Sequence, residues 1–328
     1  MTERPDSERI EEILLGGRPR YTRREVAELA GVSPDIAARL WQALGFATLP
    51  DELGAFTDRD VENLRNVGGL IERGVLDDDA AVRLARALGQ TMARLAEWQV
   101  DILTTVLLDR DAPADDENIG ELMALTEHLL PEMEVFLRYA WRRQLAASAK
   151  RMLLLADRNT DVAVNRMPIV VGFADLVSFT SLSRELDEYA FAEMIESFEV
   201  TAADIVAGCG GRMVKTLGDE VLFVSNTPAE GAEIALRLAE RIQTHTELPD
   251  VRVGLALGPV LPLMGDVYGI TVNRASRLTT FARPGTVLTD DAMARKLAGS
   301  RNFVAVRILP RRAHGIGTIQ PYVLRRRV

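Results

Sequence analysis

The chain of 328 residues has one cysteine, Cys209, three histidines and few aromatic side chains, 5% in all. A single cysteine excludes an intrachain disulfide and a cysteine-based zinc site, so a reducing cytoplasm is the expected compartment. Cys209 lies in "AGCGGR", where a turn residue and a reactive thiol are both open readings. No run of about 18 apolar residues occurs, which excludes a membrane-spanning helix. The longest apolar runs, "VDILTTVLLD" and "MPIVVGFA", have the length of core segments. The start, "MTERPDSERIEEILL", is charged throughout and has no signal-peptide core. Positive charge is in deficit too: the net charge of −9 opposes non-specific nucleic-acid binding, short of a local basic patch.

The length suits two domains, and the pattern changes character midway. Residues 1–150 read as helices almost throughout. In "YTRREVAELAGVSPDIAARLWQALGF", Thr22 and Ser33 are candidate caps and Gly31 marks a turn. "TDRDVENLRNVGGLIERG" starts on Thr57 as an N-cap, and a long amphipathic helix covers "DDDAAVRLARALGQTMARLAEWQVDILTTVLL". "APADDEN" reads as a loop, and the next helical stretch is interrupted or kinked near Pro131. Residues 151–164 read as a linker that continues the last helix. From about residue 165 strand and helix signals alternate: a strand near Ile169–Ala174, a helix over Ser183–Ala207, a hairpin around Gly218 and a helix over Ala229–His245. A strand pair across "VRVGLALGPVLPLMGD" follows, then a helix over Thr271–Phe281 and short strands near 286–289, 303–308 and 319–324. Strand–helix–strand–strand–helix–strand is the ferredoxin-like order, with helices on one face of an antiparallel sheet. The fold class is therefore α+β, preceded by an all-α domain.

"RMVKTLGDEVLF" sets two carboxylates, Asp219 and Glu220, at a hairpin tip. Hard divalent ions take one or two carboxylates together with substrate phosphates. Asp175 ends an apolar strand, so its side chain leaves the sheet edge. If that strand neighbours the hairpin, Asp175 and Asp219 can hold two ions about 4 Å apart over a transferring phosphoryl group. Alone, Asp219 reads as a turn residue, and the pairing with Asp175 is what raises it to a ligand.

Four segments in order carry a resemblance: "FADLVSFT", "KTLGDEVLF", "VRVGLALGPV" and "GDVYGITVNRASR". Together they resemble the motifs of a class III nucleotidyl cyclase catalytic domain, over roughly residues 165–328. The resemblance implies that Asp175 and Asp219, with the Leu176 backbone, are the metal ligands for two Mg2+ or Mn2+ ions. It implies that Lys215 and Asp266 read adenine, and that Asn273 and Arg277 orient the ribose and stabilise charge on the α-phosphate. Arg252 would lie near the triphosphate, with the Leu176–Thr180 backbone against the phosphates. Asn273 and Arg277 are four apart on a predicted helix and share one face. The family's sites form between two catalytic domains, and one chain here fills every position, so a homodimer with two complete sites is implied. Lysine and aspartate match ATP rather than GTP, for which the family generally uses glutamate and a small polar residue. The diguanylate cyclase signature fails at Leu217 and Val221. A family lysine near the C-terminus is replaced in "RRAHGIGTIQPYVL" by His314, with Arg311 and Arg312 close by; a histidine with no role is equally open.

The first helices resemble the helix-turn-helix of MerR-type regulators. Between Ser33 and Leu44 the only basic residue is Arg39, opposed by Asp35, which argues against DNA. The helical half also resembles, in layout, the regulatory domains of pH-responsive actinobacterial cyclases, so an unknown effector is expected, with pH a candidate. His128 reads as a core histidine, and the apolar stripes of Met92–Leu108 and Leu122–Leu137 as dimer or domain core. The expectation is a cytoplasmic adenylate cyclase without membrane contact. The alternative is a DNA-binding regulator whose cyclase-like domain only senses nucleotide.

Overall fold

Side-chain caps fix where the first helices begin. After α1 (Asp6–Leu15), Thr22 opens α2 (Arg23–Ala30). Its hydroxyl accepts from the Glu25 amide at 3.3 Å, while the Glu25 carboxylate accepts from the Thr22 amide at 2.8 Å. The reciprocal bonds satisfy two amides that a helix start leaves bare. Gly31 ends the helix at a φ of 72°, and Ser33 caps α3 (Pro34–Leu44). With α4 (Asp58–Glu72) and α5 (Asp78–Leu107), these elements bury Val26, Leu40, Trp41, Val61 and Leu64 in one core.

The structure is a computed structural model that describes residues 6–47, 50, 52–107, 116–157, 168–177, 179–243 and 248–327. Its contacts divide the chain into two compact units, Met1–Ala147 and Ser148–Val328. The linker residues 158–164 lie outside the described residues, as do Ser178 and His245. Helix α6 (Asp116–Asp157) runs unbroken through Pro131, where an interruption was expected. Proline removes one amide from the ladder, which a helix of 42 residues sustains. His128 on this helix is exposed rather than a core residue. The apolar stripes are open too, with Trp98, Ile102 and Phe136 each more than 60% exposed.

The second unit is built on a seven-stranded sheet. In chain order come β1 (Pro168–Leu176), α7 (Phe179–Glu185), α8 (Glu188–Gly208), β2 (Arg212–Leu217), β3 (Glu220–Ser225), α9 (Pro228–Gln243) and β4 (Val251–Pro259). Then follow β5 (Leu261–Leu263), β6 (Asp266–Tyr268), α10 (Ile270–Phe281), β7 (Val287–Thr289), α11 (Asp291–Leu297), β8 (Phe303–Arg307), β9 (Arg311–Ala313), β10 (Gly317–Ile319) and β11 (Tyr322–Arg326). The sheet order is β2-β3-β1-β4-β7-β11-β8, antiparallel except for the parallel β4–β7 pair.

Strand alternation assigns the two faces. Val170, Ala174 and Leu176 turn to a core with Phe198 of α8 and Ile234 and Leu238 of α9. Val171 and Phe173 turn the other way, to Ala275 and Leu278 of α10. The fold is α+β, but its helices do not all share one face: α10 packs opposite α8 and α9. The single helix expected over Ser183–Ala207 is two, because Asp187 accepts from the Tyr189 and Ala190 amides at 3.1 and 2.9 Å and starts a new helix. The strand pair expected after Val251 is also different. β4 pairs with β1, and β5 turns back on β6 instead.

Candidate active site

The hairpin of β2 and β3 turns on two residues, Gly218 and Asp219, since Leu217 pairs with Glu220. Gly218 has a φ of 70°, and a glycine at the first central position suits a two-residue hairpin. The tip is fixed to the end of β1, where the Leu176 amide donates to the Asp219 carbonyl at 3.0 Å. That bond explains how carboxylates far apart in the chain come together.

Register then places Glu220, Asp175 and Arg252 side by side on adjacent strands β3, β1 and β4. They rise from the same face as α10. Arg252 Nε donates to Asp175 Oδ2 at 2.6 Å, and its Nη2 lies 2.5 Å from the same oxygen as an ion pair. Burial raises the Asp175 carboxyl above the ordinary carboxylate range, Arg252 works against that, and the nearby Asp219 charge adds to it. Burial, followed by the charges of Asp175 and Asp219, pushes Glu220 up to about 7, with Arg252 opposing.

These residues fit a divalent ion of the magnesium type. Carboxylates that raise one another's proton affinity call for a cation, and a guanidinium stands in for one. Among the described residues no three histidine, cysteine or acidic side chains form a ready cage. That suits ions which take one or two carboxylates and fill their shell with phosphate oxygens and water. Leu176 is buried, 2% exposed, so only its backbone is available.

One step inward along the same face lies a second row, with Lys215 opposite Leu222 and Phe173 opposite both Leu222 and Gly254. Lys215 Nζ meets Asp266 Oδ2 at 2.6 Å. Asp266 is presented by the β5–β6 hairpin, whose turn residues Met264 and Gly265 have φ of 53° and 82°. Two positive φ values in succession are the type I′ pattern, which matches strand twist. Burial tends to raise Asp266, but Lys215 and the Val267 amide outweigh it and hold the carboxyl below its usual range.

Helix α10 is laid unusually close on β4. A Cβ on Gly254 would come within 2.2 Å of the Thr279 amide nitrogen, and one on Gly258 within 2.6 Å of Thr271 Oγ1. Thr271 Oγ1 donates to the Pro259 carbonyl at 2.7 Å. Asn273 and Arg277 are both exposed on the helix. Between them Arg274 turns inward to Asp290 at 3.1 Å, and Asp290 also accepts from the Met293 and Leu257 amides. His314 is exposed after β9, beside Gly315. Arg311 lies over the Phe281 ring, 5.9 Å from its centre, and Arg312 is exposed.

The sequence marks Glu220 at the hairpin tip without giving it a role, and the Arg274–Asp290 brace escapes it. Glu220 joins Asp175 only through register, which spans 45 residues of chain and has no local sign. The Arg274–Asp290 brace had one available signal, an aspartate set before "DAMARKL" as an N-cap.

Comparison with known proteins follows the same division. Residues 163–325 match the adenylate and guanylate cyclase catalytic domain. An adenylate cyclase of Streptomyces coelicolor is 42% identical, covering 99% of this chain and 91% of its own. One from Streptomyces griseus is 47% identical over 90% of this chain and 73% of its own. A pH-sensitive adenylate cyclase of Mycobacterium tuberculosis is 28% identical over 92% and 77%.

Proposed function

The chain belongs to the adenylate cyclase family, with a class III catalytic domain in its C-terminal half, and on that footing we propose how its site works. The protein is an adenylate cyclase. The ATP 3′-hydroxyl attacks the α-phosphate and pyrophosphate leaves, giving 3′,5′-cyclic AMP. Asp175 and Asp219, with the Leu176 carbonyl, hold two ions, Mg2+ or Mn2+. Those ions would supply Lewis-acid activation of the hydroxyl and neutralise developing charge.

Lys215 donates to an adenine ring nitrogen, and Asp266 accepts from the exocyclic amine. Asn273 orients the ribose, Arg277 stabilises the charged phosphorus centre and Arg252 reaches the triphosphate. Asn273 and Arg277 point to solvent from α10, which supports their serving a site completed by a second copy of the chain. The observation that carries the proposal is the pair of neighbouring rows on one sheet face, acids beside an arginine in one and the lysine of the Lys215–Asp266 pair in the next.

The N-terminal helical unit regulates the rate, with pH as its signal. The M. tuberculosis relative named pH-sensitive supports this. The exposed apolar side chains of α5 and α6 support a second copy as its partner. DNA is the less favoured target, because Arg39, the one basic residue of α3, is bound by Asp79 at 2.7 Å.

The test is cyclic AMP formation from ATP with Mn2+ by the full-length protein. Asp175→Asn and Arg277→Ala should each be inactive. Mixed and allowed to exchange, they should recover about a quarter of wild-type activity, since half the dimers carry one intact site of two. No recovery would remove the shared site. Deleting residues 1–150 should change the rate from about pH 5.5 to 8, and an unchanged profile would remove the regulatory role.

A further inference from the structure

Arg252 touches an ion ligand directly. Its Nε donates to Asp175 Oδ2 while Nη2 makes an ion-pair contact with the same oxygen, and the acceptor side chain is only 13% exposed. A charge-assisted hydrogen bond reinforced by an ion-pair contact from the same guanidinium makes a strong contact. The other flank of Asp175 is Glu220, in register on β3, and Asp219 stands at the adjoining hairpin tip. Arg252 thus pairs with Asp175, which separates it from Glu220 on the far side.

A divalent ion competes for the same charge. Oδ2 is engaged by the guanidinium, and an ion at about 2.1 Å from Oδ1 would face that cation across a single carboxylate. In a half-buried site that repulsion is only weakly screened. The ion and the closed Arg252–Asp175 pair therefore exclude each other to a large degree.

We infer that Arg252 is an exchangeable cation of the metal site: it occupies Asp175 in the nucleotide-free protein, yields to the incoming ion, and is thereby freed for the triphosphate. The inference rests on the proposed assignment of Asp175 and Asp219 as ion ligands. It adds a role that opposes metal loading without nucleotide. Affinity for the free ion is reduced by the fraction of molecules in which the pair is closed. A triphosphate restores that affinity by giving the displaced guanidinium a new partner.

The experiment is Mn2+ binding to the full-length, nucleotide-free protein, followed by the loss of the free-ion paramagnetic resonance signal. Arg252→Gln should bind Mn2+ about tenfold more tightly than wild type, although it binds a non-hydrolysable ATP analogue more weakly. Arg252→Lys keeps the charge but loses the fork, and should lie between the two. It also decides the matter if the glutamine variant does not fold. Adding Asp175→Asn should abolish the Mn2+ binding in every background. Equal or weaker Mn2+ binding by the Arg252 variants, with binding still lost in Asp175→Asn, would overturn the exchange and leave the metal assignment standing. Mn2+ binding indifferent to Asp175→Asn would overturn the assignment itself, and the exchange with it.

Discussion

Lys215 Nζ and Asp266 Oδ2 lie 2.6 Å apart although 51 residues separate them and they belong to different sheets. Each neutralises the other, so neither charge is left unpaired. Breaking the pair by Lys215→Ala should lower kcat/KM for ATP by about 10- to 100-fold, the worth of a charge-assisted bond. Asp266→Ala should do the same, and the double variant should lose less than the product of the two. Full additivity in steady-state kinetics would show that the residues act separately.

Gly254 is where α10 meets the sheet. Gly254→Ala forces a methyl against the backbone of Thr279, which cannot rotate away. It should cost about 1–3 kcal/mol in urea unfolding and should also depress activity, because Asn273 and Arg277 ride on the same helix. Loss of stability with wild-type kcat would detach the helix position from the chemistry.

Asp290 gives a pH dependence. Burial holds its carboxyl above the ordinary range, against the bonds from the Met293 amide, Arg274 and the Leu257 amide. The folded protein therefore keeps a proton that the unfolded chain releases near about pH 3.9. That contribution to stability is complete below the unfolded value and is lost as pH rises through the folded one. Asp290→Asn retains a capping side chain and removes the charge. Whatever offset follows from losing the Arg274 pair, its stability relative to wild type should rise as pH increases above about 4. A constant difference in urea unfolding across that range would refute the assignment.

Met264 holds a φ of 53°, a left-handed value that favours glycine or asparagine. Met264→Asn should stabilise the protein by up to about 1 kcal/mol without loss of activity, since asparagine tolerates the turn that presents Asp266. A lower melting temperature would mean that the methionine side chain packs usefully.

Much of this architecture is legible in local pattern. Continuous apolar runs, buried on both faces, mark β1, β3 and β4, and Asn273 and Arg277 share a face because they are one helical turn apart. Thr22, Ser33 and Gly31 announce helix ends by their own chemistry. The remainder depends on partners remote in the chain. The break at Asp187 shows only once its carboxylate is seen on two amides. The β5–β6 hairpin hides behind a methionine at a position where glycine would have advertised a turn. Arg252 belongs with Asp175 because of a register set 77 residues away, and no local spacing contains that information.

The glycines beneath α10, together with the Thr271 and Arg274 bonds, hold the helix closely against β4. Asp175 and Asp219 are anchored to the same sheet, with the tip bonded to the Leu176 amide. On the proposed shared site, each chain would contribute a preformed jaw, and a regulating signal would act on how far apart two such jaws stand.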